Sequence, residues 1–91
     1  MKYTVKPTNR FLKDYKLMER RNMDMTLIDE VISKLAQGIP LPAANRDHAL
    51  TGDFKGHREC HVQPDWLLIY HVEKDVLVLS LTRTGSHSDL F

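Results

Sequence analysis

Ninety-one residues with a formal charge of +1, 42% of them hydrophobic and 27% charged, allow one small domain spanning residues 1–91 and exclude a large internal cavity, because so small a core has little stability to spare. The lone cysteine, Cys60, excludes an internal disulfide and suits a reducing compartment. No segment reaches the roughly 20 apolar residues of a bilayer span and no signal-type run follows Met1, so a cytoplasmic protein with no membrane partner is expected.

Residues 2–6 alternate, with Tyr3 and Val5 on one face, until Pro7 interrupts the ladder; the pattern predicts a short first strand. Thr8 or Asn9 caps a helix in which Phe11, Leu12, Tyr15 and Met18 recur at helical spacing, leaving Lys13, Lys16, Arg20 and Arg21 to make its surface basic. Asp24 or Thr26 opens a second helix carrying Ile28, Val31, Ile32 and Leu35, which Gly38 and Pro40 end. Residues 38–55 are rich in Pro, Asn, Asp and Gly and predict a long loop or crossover. Three strands follow, over 57–62, 66–72 and 76–82, as an antiparallel meander. The run from Val76 to Leu79 is apolar on both faces, which predicts an interior strand. The expected architecture is α+β: an N-terminal strand and a helical hairpin packed on a mainly antiparallel four-stranded sheet.

All five histidines lie between His48 and His87. The period of two places His57, Glu59 and His61 on one face of their strand and Arg58, Cys60 and Val62 on the other. Only four residues separate His61 from Trp66, so a hairpin brings His61, Asp65 and Trp66 to one end of the sheet, within reach of His87 after the strand leaves at Gly85. Cleavage of RNA by its own 2′-OH needs a base, an acid and cationic donors for the phosphate. His48, His61, Asp65 and His87 are candidates for proton transfer, and Lys55, Arg58 and Arg83 for the phosphate. Trp66 and Phe91 offer aromatic faces, although a strand tryptophan more often fills core and a terminal phenylalanine packs a tail.

Asp47, His48, Leu50 and Gly52, then Lys55, Gly56 and Arg58, then His61-Val62, Pro64-Asp65-Trp66 and Leu68-Ile69-Tyr70, and finally Arg83-Thr84-Gly85, His87 and Leu90-Phe91, taken in series, resemble the YafQ branch of the RelE superfamily of bacterial toxins. The resemblance implies a RelE-like fold and the toxin of a type II toxin–antitoxin system. It further implies a ribosome-dependent endoribonuclease that cuts translated messenger RNA in the A site without a metal or other cofactor. Its implied partners are the 70S ribosome, mRNA and a cognate antitoxin, a small dimeric DNA-binding protein. In that branch the positions of His48, His61, Asp65 and His87 handle protons and phosphate, and those of Trp66 and Phe91 help place nucleotides. Lys13, Lys16, Arg20 and Arg21 would then hold ribosomal RNA by charge. His57, Cys60 and His71 depart from the branch's usual pattern. The alternative within the superfamily is a ParE-like toxin that binds DNA gyrase and cuts nothing; a zinc site at His61, Asp65 and His87 ranks below both.

Overall fold

The computed structural model describes residues 2–91. Strand β1 (Thr4–Pro7) leads into α1 (Asn9–Arg20) and α2 (Met25–Gln37), and a long loop runs to β2 (His48–Ala49). Strands β3 (Arg58–Gln63), β4 (Trp66–Glu73) and β5 (Val78–Gly85) follow, and a single turn of helix, α3 (His87–Leu90), ends the chain. The sheet order is β1-β5-β4-β3-β2, with β1 parallel to β5 and every other pair antiparallel. The sheet thus has five strands where four were expected. The additional strand, β2, pairs only His48 with Glu59 and Ala49 with Arg58, too short for alternation to announce it.

Each helix begins and ends where its sequence dictates. Thr8 accepts the Phe11 N–H at 3.0 Å to cap α1, and Asp24 accepts the Thr26 N–H at 3.1 Å to cap α2. Gly38 closes α2 in the left-handed region at φ 73°, where a side chain would be strained. The helices cover one face of the sheet, and Phe11, Met18, Ile28, Val31 and Leu35 pack there on Cys60, Trp66, Leu68, Tyr70, Leu79 and Leu81. At about 1.5–3 kcal/mol for each large side chain removed from water, this layer is the main source of stability.

Two details differ from the sequence pattern. Leu12 is 45% exposed and the inward position goes to Asp14, which is buried because Arg83 meets it from the sheet. Val76 and Leu77 belong to a turn and are 62% and 48% exposed, so the interior strand begins only at Val78. Leu77 adopts φ 53°, and its carbonyl accepts the Thr4 N–H at 2.8 Å, fixing the start of β1.

The opposite face is thinly covered. Leu67, Ile69 and Leu90 form a second cluster with Leu50 and Phe54, so only α3 and the loop after β2 shield it.

Candidate active site

The open face carries the candidate residues because of how the strands pair. His48 lies opposite Glu59, Glu59 opposite Ile69, and His61 opposite Leu67, and cross-strand partners share a face. A register shift between His61 and Gln63 then tightens the β3–β4 turn. Within that turn His61 Nδ1 lies 3.2 Å from the Pro64 carbonyl. A carbonyl only accepts, so Nδ1 carries the proton of this bond and Nε2 is the ring's other face.

His87 is brought to the same end by α3. Gly85 permits the turn, since a Cβ there would sit 2.9 Å from Asp89 Cβ. Ser86 caps the helix by accepting the Asp89 N–H at 3.2 Å, and Asp89 accepts the Ser86 N–H in return at 2.9 Å. Arg21 grips both oxygens of Asp89, at 2.7 and 3.1 Å. So fixed, His87 reaches Asp65 with its backbone N–H at 3.0 Å and with ring Nδ1 at 2.6 Å, and its ring centre lies 5.8 Å from that of His61. The backbone and ring hydrogen bonds from His87 lower the Asp65 pKa. Asp65 is therefore an ionised acceptor, and His87 Nδ1 donates to it.

Glu59 is the residue that sequence reasoning placed on this face without giving it a role. Its buried carboxylate lies 3.6 Å from His48 Nε2 and 3.8 Å from His61 Nε2. The available signal was its period-two relation to His61; its relation to His48 depends on the short β2 pairing. His48 Nδ1 in turn faces the Arg46 carbonyl at 2.6 Å. His48, His61, Asp65 and His87 are thus gathered into one group, joined by Glu59.

The remaining candidates divide. Trp66 is 1% exposed, packs in the helix-side core and donates its indole N–H to Thr84 Oγ1 at 2.9 Å; this corrects the expected stacking role, because a ring enclosed on both sides offers no face to a base. Arg58 lies on the helix-facing side of β3, where Asp47 accepts from its Nε at 3.2 Å. Arg83 is bound to Asp14 through Nε at 2.9 Å and Nη2 at 3.1 Å. Both guanidiniums thus already have a carboxylate partner, Arg83 through two nitrogens and Arg58 through Nε alone. Arg21 likewise serves Asp89 rather than presenting a free charge, whereas Lys13, Lys16 and Arg20 are exposed and have no salt bridge among the described residues. Lys55 is exposed beyond Phe54, and Phe91, 65% exposed, meets the Phe54 ring edge-on at 5.8 Å. His57 and His71 form a separate pair 5.4 Å apart on the open face. Cys60 is fully buried, and burial raises its thiol to about 12, so it is no nucleophile. Among the described residues no group of three or more His, Cys, Asp or Glu is arranged to hold a metal ion, and no helix is long and apolar enough to cross a membrane.

Comparison with known proteins gives this arrangement a context. The mRNA interferase toxin YafQ of Escherichia coli K12 is 40% identical over 85 residues, covering 92% of this chain and 90% of its own. The crystal structure of the E. coli DinJ-YafQ complex is similar with a TM-score of 0.90 at 38% identity, covering 98% of each chain. A metal-bound toxin from Helicobacter pylori superposes with a TM-score of 0.92 at 40% identity, over 98% of this chain and 99% of that one. The profile of the family described as "Bacterial toxin of type II toxin-antitoxin system, YafQ" matches residues 3–91. On sequence and fold together, the chain belongs to the YafQ family of bacterial toxins.

Proposed function

We propose that this protein is the toxin of a type II toxin–antitoxin pair and an endoribonuclease that cuts translated mRNA in the ribosomal A site. The observation that carries the reading is the His61–His87 pair, 5.8 Å apart with His87 held on Asp65 at 2.6 Å. That spacing accommodates one phosphodiester between two proton-transfer groups, as attack by the 2′-OH requires. Asp65, kept ionised, orients His87 rather than donating a proton. His87 supplies one of the two proton-transfer groups. The second is His61 or His48, whose Nε2 atoms both approach Glu59. Arg58 and Arg83 are engaged elsewhere, so positive charge for the phosphate comes from Lys55 and protonated imidazole, and Phe91 is the aromatic available to a nucleotide. Lys13, Lys16 and Arg20 supply the sequence-independent attraction to ribosomal RNA.

No step calls for a metal. Cleavage in ribosomal reactions at fixed magnesium should survive 1,10-phenanthroline; its loss would reinstate a transition-metal site, a point given weight by the metal-bound H. pylori toxin. The partner is an antitoxin, in the manner of DinJ in the E. coli complex. A gyrase-binding toxin would have no use for an imidazole pair aligned by a carboxylate. The deciding experiment maps cuts by primer extension on a message translated by purified ribosomes. Wild-type protein should cut only in the presence of ribosomes, with a bell-shaped pH–rate profile, and His87→Ala should leave the message whole. An intact message with wild-type protein would refute the reading.

A further inference from the structure

His48 is delivered to the site by the least regular part of the chain. Residues 38–47 form a loop interrupted only by one 3₁₀ turn, Ala43–Asn45, and β2 is a two-residue edge strand. Two ladder positions at an edge hold a backbone weakly. His48 nevertheless has a defined place, because four side-chain hydrogen bonds surround it. Asn45 Nδ2 donates to the His61 carbonyl at 2.7 Å. Ring Nδ1 of His48 donates to the Arg46 carbonyl at 2.6 Å. Asp47 Oδ1 accepts from the Tyr70 hydroxyl at 2.6 Å and from Arg58 Nε at 3.2 Å.

The arrangement has a simple logic. Arg46 sits in the left-handed region at φ 49°, which a non-glycine residue keeps only where its surroundings hold it. It is held on both sides, by Asn45 tied to β3 and by Asp47 tied to β3 and β4. Alternation then separates neighbours: Asp47 reaches the helix-facing side, where Tyr70 belongs to the core, and His48 projects to the open face opposite Glu59. Tyr70 is 2% exposed, and a phenol so buried needs a partner for its hydroxyl. The bond that satisfies the core therefore also pins the residue before His48.

We infer that Asp47, gripped by Tyr70 and Arg58, is a positioning residue for RNA cleavage: it locks the loop so that the Arg46 carbonyl fixes the His48 imidazole beside Glu59. The inference rests on the place of His48 in the cleaving group proposed above. Its test is a double-mutant cycle. Tyr70→Phe and Asp47→Ala are each made in the wild-type and in the His48→Ala background, and single-turnover cleavage on programmed ribosomes is measured separately from ribosome affinity. In the wild-type background each change should slow cleavage about 10- to 100-fold, the scale of a small misplacement of a reacting group, with affinity unchanged. In the His48→Ala background neither should slow it further, since no imidazole remains to misplace. Equal losses in both backgrounds, or no loss in either, would overturn the inference. A cost-free His48→Ala is a different outcome: it removes His48 from the chemistry and leaves the clamp to be judged by imidazole ¹⁵N NMR. There the His48 Nδ1–H should be protected in the wild type and lost in Tyr70→Phe, and its persistence would refute the clamp.

Discussion

The two faces of this sheet are built from the same strands and obey opposite economies. Toward the helices, alternate residues of β3, β4 and β5 meet Phe11, Met18, Ile28, Val31 and Leu35 and leave almost no surface exposed. Toward solvent, the intervening positions of β3 carry Glu59 and His61 above a smaller apolar cluster that α3 and one loop half cover. The closed face makes the fold; the open face gathers imidazoles where only α3 and one loop cover the sheet. The difference teaches that a small domain can hold a reactive group without a deep cavity, provided that one layer supplies most of the stability.

If this division is sound, substitutions on the two faces should separate activity from stability. The largest expected effect is on the open face: His87→Ala or His61→Ala should lower ribosomal cleavage about 10²- to 10⁴-fold while urea midpoints stay within experimental scatter of wild type. The opposite result comes from the closed face. Ile28→Ala, at a fully buried position, should cost about 2–5 kcal/mol in urea unfolding, with normal cleavage per folded molecule. A large stability loss from His87→Ala would mean that the open face belongs to the core after all.

Trp66 sharpens the comparison because the two readings of it predict different observables. As a core residue bonded to Thr84, Trp66→Phe should cost roughly 1–3 kcal/mol of stability through the lost indole hydrogen bond and lost volume, and leave cleavage by the folded fraction nearly unchanged. A base-stacking platform would show the reverse, with normal unfolding and slower cleavage.

The sequence reveals these faces unequally. Helical spacing placed Ile28, Val31 and Leu35 correctly, and strand alternation assigned Cys60 and His61 to opposite sides, because both signals are local and periodic. The hairpin length brought Asp65 to His61 for the same reason. What periodicity missed depends on pairs distant in the chain: Asp14 with Arg83, Arg21 with Asp89, and Asp47 with Arg58. Each consumes a group that looks free in one dimension, which is why Arg83, Arg58 and Arg21 read as ligands for RNA. The fate of Trp66 likewise turns on Thr84, eighteen residues away. The resemblance to the toxin family supplied the candidate group as a set; geometry added Glu59 beside it.

Glu59 tests whether the open face works as one unit. Removing its charge with Glu59→Gln keeps the shape of the side chain but ends its electrostatic pull on both His48 and His61, which lie within 3.8 Å. The expected result is a roughly tenfold slower cleavage with the urea midpoint unchanged. A slower rate matched by a lower urea midpoint would give Glu59 a packing role only.

The smallest effect is also the most local. Asp89 is held well below the ordinary carboxylate range, first by its Arg21 hydrogen bonds and next by the Ser86 N–H. A carboxyl depressed in the folded state stabilises the fold fully above its unfolded value, near 3.9, and loses that contribution as pH falls through the folded value. Asp89→Asn should therefore be less stable than wild type at pH 7 by about 1 kcal/mol, the range of a cap combined with a half-exposed ion pair, and the gap should narrow below about pH 4. Urea unfolding of both proteins between pH 3 and pH 7 measures it. Because α3 carries His87 to Asp65, the same substitution at pH 7 should slow cleavage by more than the unfolded fraction accounts for. A loss of activity no greater than the loss of folded protein would show that the contact between His87 and Asp65 holds without the Arg21–Asp89 pair.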